Sequence, residues 1–291
     1  MKIDKLAKAY RVEGGKNFRL KDFDPAATGH WHSKEHAEEA LQQGIVHTAE
    51  LQDKLYAQDR WSLLLIFQAM DAAGKDGIIK HVMSGVNPQG CQVYSFKAPS
   101  DLELQHDFLW RTTRCLPERG HIGIFNRSYY EEVLVVRVHP QIIASQKMPS
   151  SLVGKHIWDE RFEDIRCFER HMGRSGTVIR KFFLNVSKKE QKRRFLARLE
   201  EPGKNWKFSA ADIRERQCWD DYHEAYEEMI RNTATEQAPW YVVPADNKWF
   251  TRIVVSAVVV DTMESLGLAY PKVDDAKRKE LDAAKKLLMK K

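Results

Sequence analysis

The sequence predicts an α/β fold: a five-stranded, mostly parallel sheet sandwiched by helices. Short apolar runs alternate with amphipathic stretches of helical period, the pattern of strands joined by crossover helices. One of those runs leads directly into a glycine-lysine turn and then a helix. A composition of 43% hydrophobic and 30% charged residues over 291 positions is globular, too apolar for a disordered chain.

Residues 1–57 form an N-terminal extension, read as loop plus one helix from Lys34 to Asp59, interrupted near Gly44, that would wrap the core or a neighbouring subunit. The predicted strands are Ser62 to Phe67, Gln92 to Phe96, Ile122 to Phe125, Val178 to Val186 and Trp240 to Val243. Between them helices are predicted at Ile78 to Ser84, at Asp101 to Cys115 with Asp101 as N-cap, at Ile157 to Met172, at Ser187 to Leu199 and from Ala211 through Arg231. A helix from Lys248 to Leu266 closes the core. No Pro/Gly/Ser-rich linker divides residues 58–271, which read as one domain, and residues 272–291 form a Lys-rich tail helix.

Several classes are excluded early. The longest apolar runs, Leu63 to Phe67 and Ile253 to Val260, fall short of the roughly 20 residues that span a bilayer. The N-terminus MKIDKLAKAYRVEGGKNF has no apolar secretory core, so a cytoplasmic location without membrane contact is expected. Cys91, Cys115, Cys167 and Cys218 are scattered and form no CxxC, and they read as reduced and mostly buried. His30, His32 and His36 match no ligand spacing and read as surface residues.

The net charge is +6. It is concentrated: residues 161–216 carry 16 Lys+Arg against 8 Asp+Glu, residues 272–291 carry 8 against 4, and the remainder is net acidic. Such focusing points to a polyanion-facing surface on the internal segment. In the tail, Leu281, Leu287 and Leu288 on a Lys-rich helix read as a solvated amphipathic helix or an assembly contact.

The sharpest motif is Ala69-Met70-Asp71-Ala72-Ala73-Gly74-Lys75-Asp76 between strand and helix. It has Walker A architecture, in which the backbone N–H groups of Ala72, Ala73, Gly74, Lys75 and Asp76 would face phosphate oxygens and Lys75 would neutralise charge at the helix N-terminus. Ala69 stands in place of the first Gly, and Asp76 in place of the magnesium-binding Ser or Thr. Asp71 would repel phosphate unless a cation lay between them, so it reads as a metal ligand replacing the missing hydroxyl; the alternative is a helix N-cap. After the third strand comes Asn126-Arg127-Ser128-Tyr129-Tyr130-Glu131-Glu132, with Arg127 placed as a planar counter-charge to a transferring phosphoryl group.

These stretches, together with WDERFEDIRCFER, KFFLNVSKKEQKRRFLARLEEPGKNWKFS, WDDYHEAYEEMI and APWYVVPADNKWF, resemble the polyphosphate kinase 2 family over most of the chain. The resemblance implies a P-loop kinase fold with a helical lid at about residues 187–215, multimers (a dimer or tetramer), and Mg2+-dependent transfer of the terminal phosphoryl group of polyphosphate to a nucleotide, with Mn2+ as an alternative ion. By position, Asp71 looks like the family's metal-binding aspartate, Lys75 like its Walker lysine and Arg127 like its Walker B arginine. Asn126 looks like the subgroup that accepts both AMP and ADP, where other members have Asp; guanine nucleotides are a further acceptor class.

Around the strand-to-helix junction that leads into the lid and the loop that follows, Lys181, Arg194, Arg198, Lys204 and Lys207 are expected to bind the polyphosphate chain. Arg194 and Arg198 are four apart on one helical face, and Pro202-Gly203 is a hinge candidate. Glu131 is expected to contact the nucleotide or the metal, with a helix first-turn acid as the alternative. Two rival functions are an ATP-dependent nucleotide kinase and a basic nucleic-acid-binding module; no nucleic-acid motif accompanies the charge, so nucleic acid is not an expected partner. A cation-lined polyphosphate site predicts a steep fall of apparent polyphosphate affinity with added salt, as in counterion release from nucleic acids, measurable by titration at several ionic strengths. A flat salt response would return the charge to plain solvation.

Overall fold

The computed structural model describes residues 3–29, 31 and 34–289, so His30 and His32 lie outside it. The sheet has six strands rather than five: β1 (Arg11–Val12), β2 (Ser62–Gln68), β3 (Cys91–Ser95), β4 (Ile122–Asn126), β5 (Thr177–Asn185) and β6 (Trp240–Pro244). Their spatial order is β1-β6-β5-β2-β4-β3. All neighbours run parallel except β1, which is antiparallel to β6. The added strand is two residues long, too short for an apolar pattern to show. Central β2 and β6 are buried at every position, as strands covered on both faces must be.

The helices are α1 (Ile3–Ala9), α2 (Lys34–Gln58), α3 (Lys75–Val82), α4 (Trp110–Thr113), α5 (Val135–Val138), α6 (Ile157–Arg174), α7 (Lys188–Glu200), α8 (Ala210–Gln217), α9 (Trp219–Thr233), α10 (Lys248–Glu264) and α11 (Asp275–Leu288). Apolar α10 gathers α1, α2 and α3 around it, while α6 and α9 pack against each other and α6 lies on β5. Helices α1 and α2, within the predicted N-terminal extension, are therefore part of the core packing. Among the described residues no helix is long and apolar enough to cross a membrane. Helix α11 is exposed along its whole length, Leu281, Leu287 and Leu288 included.

Three predicted helices differ from the structure. Helix α2 runs unbroken through Gly44, where a Cβ would stand 2.2 Å from the Ser256 Oγ of α10. The glycine marks a close helix-helix approach rather than an interruption. From Asp101 to Cys115 the chain forms short turns, with only α4 helical in the α sense. Ser100 and Asp107 account for this: the Ser100 N–H and hydroxyl both donate to Glu103, and the Leu109 N–H donates to Asp107 Oδ1, local bonds that compete with a helix ladder. The long helix from Ala211 breaks into α8 and α9 at Cys218, whose ψ of 25° leaves the helical range. Cys167 is exposed, against expectation, and the other three cysteines are partly buried.

Lys181, expected to bind polyphosphate, is out of reach of any anion. It lies on β5 with no exposed surface, and its ammonium donates to Glu169 Oε2 at 2.6 Å, to the Thr233 carbonyl at 2.8 Å and to the Tyr130 hydroxyl at 3.0 Å. The Tyr129 and Tyr130 hydroxyls in turn donate to Glu169 Oε1 at 2.8 and 2.7 Å. Burial pulls the Lys181 pKa down while Glu169 holds it up. The pair has every donor and acceptor engaged, the condition under which a buried ion pair is tolerated. Lys181→Met alone strands the Glu169 carboxylate and should cost about 3–5 kcal/mol in denaturant titration. Lys181→Met/Glu169→Gln should recover much of that loss; equal losses would show that the two charges are uncoupled.

Candidate active site

The phosphate loop leaves the C-terminal end of β2 and enters α3 at Lys75. Ala72 (φ 61°) and Gly74 (φ 111°) are its left-handed residues. Ala69, where a glycine is usual, has no left-handed backbone, so its Cβ is accommodated, and its carbonyl accepts from Lys75 Nζ at 2.8 Å. The first amides of α3 have no intrahelical acceptor and face outward with the positive end of the helix dipole. The loop is anchored from behind by Arg194, whose guanidinium donates to the carbonyls of Ala72 (3.0 Å), Ala73 (2.6 Å), Ala245 (2.6 Å) and Asp246 (3.1 Å), and through Nε to Glu190 (2.7 Å). Arg194 is 7% exposed and all of its nitrogens are engaged. It shapes the loop, and the expectation that it binds polyphosphate is corrected accordingly.

Strand β4 pairs in parallel with β2 and carries Asn126 and Arg127 to the same end of the sheet. Arg127 is itself left-handed (φ 64°), donates its N–H to the Phe67 carbonyl at 3.0 Å and places Nη2 3.2 Å from Asp71 Oδ1. Asn126 Nδ2 donates to Asp76 Oδ1 at 2.6 Å. An aspartate at position 126 would instead set two carboxylates against each other, so the neutral residue here is matched to Asp76, 50 residues away in sequence but adjacent in space. Ser128 caps the 3-10 helix Tyr129–Val133 by accepting from the Tyr130 N–H, and this helix carries Glu131.

The charges at the site are strongly coupled. Burial pulls the Lys75 ammonium below the ordinary lysine value and Arg127 adds to the effect, while Asp71, Glu131 and Asp76 oppose it. Burial raises the Glu131 carboxyl, with Arg127 and Lys75 opposing. For Arg127 the carboxylates of Glu131 and Asp71 outweigh the burial that would lower it. Asp71, Lys75, Asn126, Arg127, Glu131 and Asp76 are thus brought together.

The basic segment behaves differently. Arg198 Nη1 donates to the Lys207 carbonyl and to Asp212 Oδ2, both at 3.2 Å, and its guanidinium covers Phe195. Lys204 and Lys207, on the 3-10 helix Pro202–Lys207, are exposed: Lys204 pairs with Glu201, and Lys207 sits 5.0 Å over the Trp206 ring. Of the predicted row, Arg198, Lys204 and Lys207 remain near a surface that an anion can reach. Two residues that the sequence reading passed over belong to the site. Gln191 Nε2 donates to the Asp71 carbonyl at 3.0 Å, and Asp212 lies close enough to Asp71 for that charge, after burial, to raise its carboxyl. Asp212 was legible as the fourth residue of the Ser209-Ala210-Ala211-Asp212 capping box.

Among the described residues no three His, Cys, Asp or Glu side chains converge as a preformed metal cage. An ion held mainly by substrate phosphates needs only one or two carboxylates, and Asp71, engaged through Oδ1 alone, and Asp76 suit that donor set. With Lys75 in the expected role of a charged phosphate ligand, the alkaline limb of kcat/KM should fall below the ordinary lysine value of 10.5. Bound phosphate favours the ammonium, so the limb of kcat should lie at higher pH than that of kcat/KM. Coincident alkaline limbs in the two pH profiles would remove Lys75 from this role.

The family description Polyphosphate kinase 2 matches residues 31–269. An ADP-polyphosphate phosphotransferase of Rhodopseudomonas palustris is 56% identical over 97% of this chain and 98% of its own length. An AMP/ADP-polyphosphate phosphotransferase of Meiothermus ruber is 45% identical over 94% and 98%. The crystal structure of polyphosphate kinase 2 from Arthrobacter aurescens superposes with a TM-score of 0.87 at 42% identity, covering 96% of each chain. With the family's pattern matched over most of its length and its fold reproduced around this loop, the chain belongs to the polyphosphate kinase 2 family.

Proposed function

We propose that the protein transfers the terminal phosphoryl group of inorganic polyphosphate to AMP and to ADP, giving ADP and ATP. The observation that carries this is the meeting of Lys75, the loop amides and the Asp71–Arg127 pair at one end of the parallel sheet, beside a segment that still presents Arg198, Lys204 and Lys207. The names of the relatives supply the donor and acceptor classes.

The transfer is direct and in line. An oxygen of the nucleotide's terminal phosphate attacks the end phosphorus of polyphosphate, the new P–O bond forms as the bridging P–O bond breaks, and the leaving group is a polyphosphate one unit shorter. The attacking oxygen is already ionised near neutral pH, so no side chain need remove a proton. Catalysis then rests on positioning and electrostatics. Lys75 and the amides of Ala72, Gly74, Lys75 and Asp76 hold phosphate oxygens, whereas the Ala73 amide, expected among them, is taken by the Met70 carbonyl at 3.3 Å; Arg127 faces the charge that develops on the transferred group. Glu131 orients Arg127 and Lys75 through charge and reaches toward the acceptor. Asp71, with Asp76, would hold Mg2+ or Mn2+, which would supply positive charge against the phosphate oxygens. Asn126 leaves the site one negative charge lighter than an aspartate would, which favours acceptors that bring different numbers of phosphates.

The rival within enzymes is an ATP-dependent nucleotide kinase on the same fold. The protein incubated with Mg2+, polyphosphate and either AMP or ADP, with nucleotides resolved by chromatography, separates the two. Product from both acceptors with polyphosphate as sole donor is expected, and its absence would leave the ATP-dependent reading. Lys75→Ala should lower turnover at least about 100-fold with the melting temperature unchanged, and near wild-type activity in that variant would overturn the assignment.

A further inference from the structure

Helix α8 comes within electrostatic reach of the phosphate loop, yet it has no apolar footing: none of its residues is buried. Its hold on the protein is polar. Arg198 of α7 donates to Asp212 Oδ2 at 3.2 Å, Tyr222 of α9 donates to Glu215 Oε2 at 2.6 Å, and His139 Nε2 lies 2.9 Å from that same oxygen. Arg216 makes the remaining contact. Its Nη1 donates to the Lys188 carbonyl at 2.9 Å and to Gln191 Oε1 at 2.6 Å, and its guanidinium lies 5.8 Å from the centre of the Trp219 ring.

Gln191 joins this arginine to the loop. Gln191 is 1% exposed, and its Nε2 donates to the Asp71 carbonyl at 3.0 Å. A side-chain amide has one accepting end and one donating end, whereas a guanidinium can only donate. Arg216 therefore claims Oε1, and the NH2 group is left for Asp71. Turned end for end, the amide would set its oxygen against the Asp71 carbonyl oxygen and its NH2 against the guanidinium, two repulsions in place of two bonds. The direction of the amide, and with it the grip on the loop, thus follows from Arg216.

The peptide held in this way is the one between Asp71 and Ala72. Its oxygen goes to Gln191, while its N–H, that of Ala72, has no acceptor among the described residues. Ala72 is left-handed (φ 61°), and the Asp71 side chain on the other flank of the peptide meets Arg127 at 3.2 Å. A rotation of this one peptide would displace a phosphate donor and a carboxylate together. The carbonyls of Asp71, Ala72 and Ala73 all end on side chains of α7, the first on Gln191 and the other two on Arg194; of these two side chains, Gln191 is the one that α8 directs. We infer that Arg216 is a positioning residue for phosphoryl transfer: by orienting the Gln191 amide it fixes the Asp71–Ala72 peptide, and so the Asp71 carboxylate and the Ala72 amide, for the transfer. This rests on the phosphotransferase reading above.

The test is a double-mutant cycle in the full-length enzyme, assayed with Mg2+, polyphosphate and ADP. Arg216→Ala should lower kcat about tenfold with the KM for ADP within about twofold of wild type, since geometry at the loop is lost and not the acceptor's binding. Arg216→Lys, which keeps a donor for Oε1, should recover most of that loss. Gln191→Met removes both bonds and should cost at least as much, and Arg216→Ala/Gln191→Met should be no slower than Gln191→Met alone. A role confined to holding α8 through the Lys188 carbonyl would instead make the two losses multiply. That result, or an unchanged kcat in Arg216→Ala, overturns the inference. The amide resonance of Ala72 in isotope-labelled protein reports without turnover: Arg216→Ala should shift it, Arg216→Lys should return it toward the wild-type position, and no shift in Arg216→Ala counts against the relay even if Gln191→Met does not fold. Failure of the wild-type protein to use polyphosphate would instead overturn the function, and the Ala72 resonance would still decide whether Arg216 acts on the loop.

Discussion

The guanidinium of Arg194 holds two carbonyls of the phosphate loop, two of the turn after β6, and one carboxylate of its own helix. Of the two loop peptides held this way, the one with the Ala73 carbonyl leaves the Gly74 N–H free of a protein acceptor, while the one with the Ala72 carbonyl returns its Ala73 N–H to the Met70 carbonyl at 3.3 Å. The loop's shape is therefore set from beneath, by a buried cation with every nitrogen engaged by the protein. The same contact ties the loop to two other segments, α7 through Glu190 and the entrance of α10 through Ala245 and Asp246. Gln191, one residue from Glu190, adds its bond to the Asp71 carbonyl, so that α7 grips both halves of the turn.

A second buried cation organises the opposite face. Lys181 compensates Glu169, Glu169 receives the hydroxyls of Tyr129 and Tyr130, and these tyrosines belong to the short helix that carries Glu131. Arg127 sits between the two systems, its backbone in a left-handed conformation and its side chain on Asp71. Strain of that kind persists where the surroundings over-determine it, and here both ends of the segment are pinned by buried charge.

Much of this could be read from the residues. Five of the six strands, the turn between β2 and α3, and the grouping of Asp71, Lys75, Asn126 and Arg127 follow from apolar runs, a glycine-lysine turn and what phosphate chemistry demands at a strand end. The direction of the basic side chains could not. Lys181 lies in a strand buried on both faces from Ile179 onward except at Arg180, where alternation carries no information about which side faces water. Arg194 shares a helical face with Arg198, yet one turn decides between a buried clamp and a partly exposed pair with Asp212. Positive charge along a sequence thus overstated the anion-facing surface, because burial with full hydrogen bonding is as available to arginine as solvent is. The helix expected after Asp101 failed for a related reason, since Ser100, Glu103 and Asp107 spend their polar groups locally.

The N-terminal segment finishes the fold in space although it begins the chain. β1 completes the sheet only by pairing with Tyr241 and Trp240, and α1 and α2 find their apolar partner in α10. Those contacts close loops of roughly 200 residues, among the slowest kind to form. During synthesis the first helices emerge long before the strand and helix that receive them, and their apolar faces stay open until nearly the whole chain has been made. Docking of α1, α2 and β1 thus waits for α10 and β6, and until those are made the waiting apolar faces are open to aggregation and proteolysis.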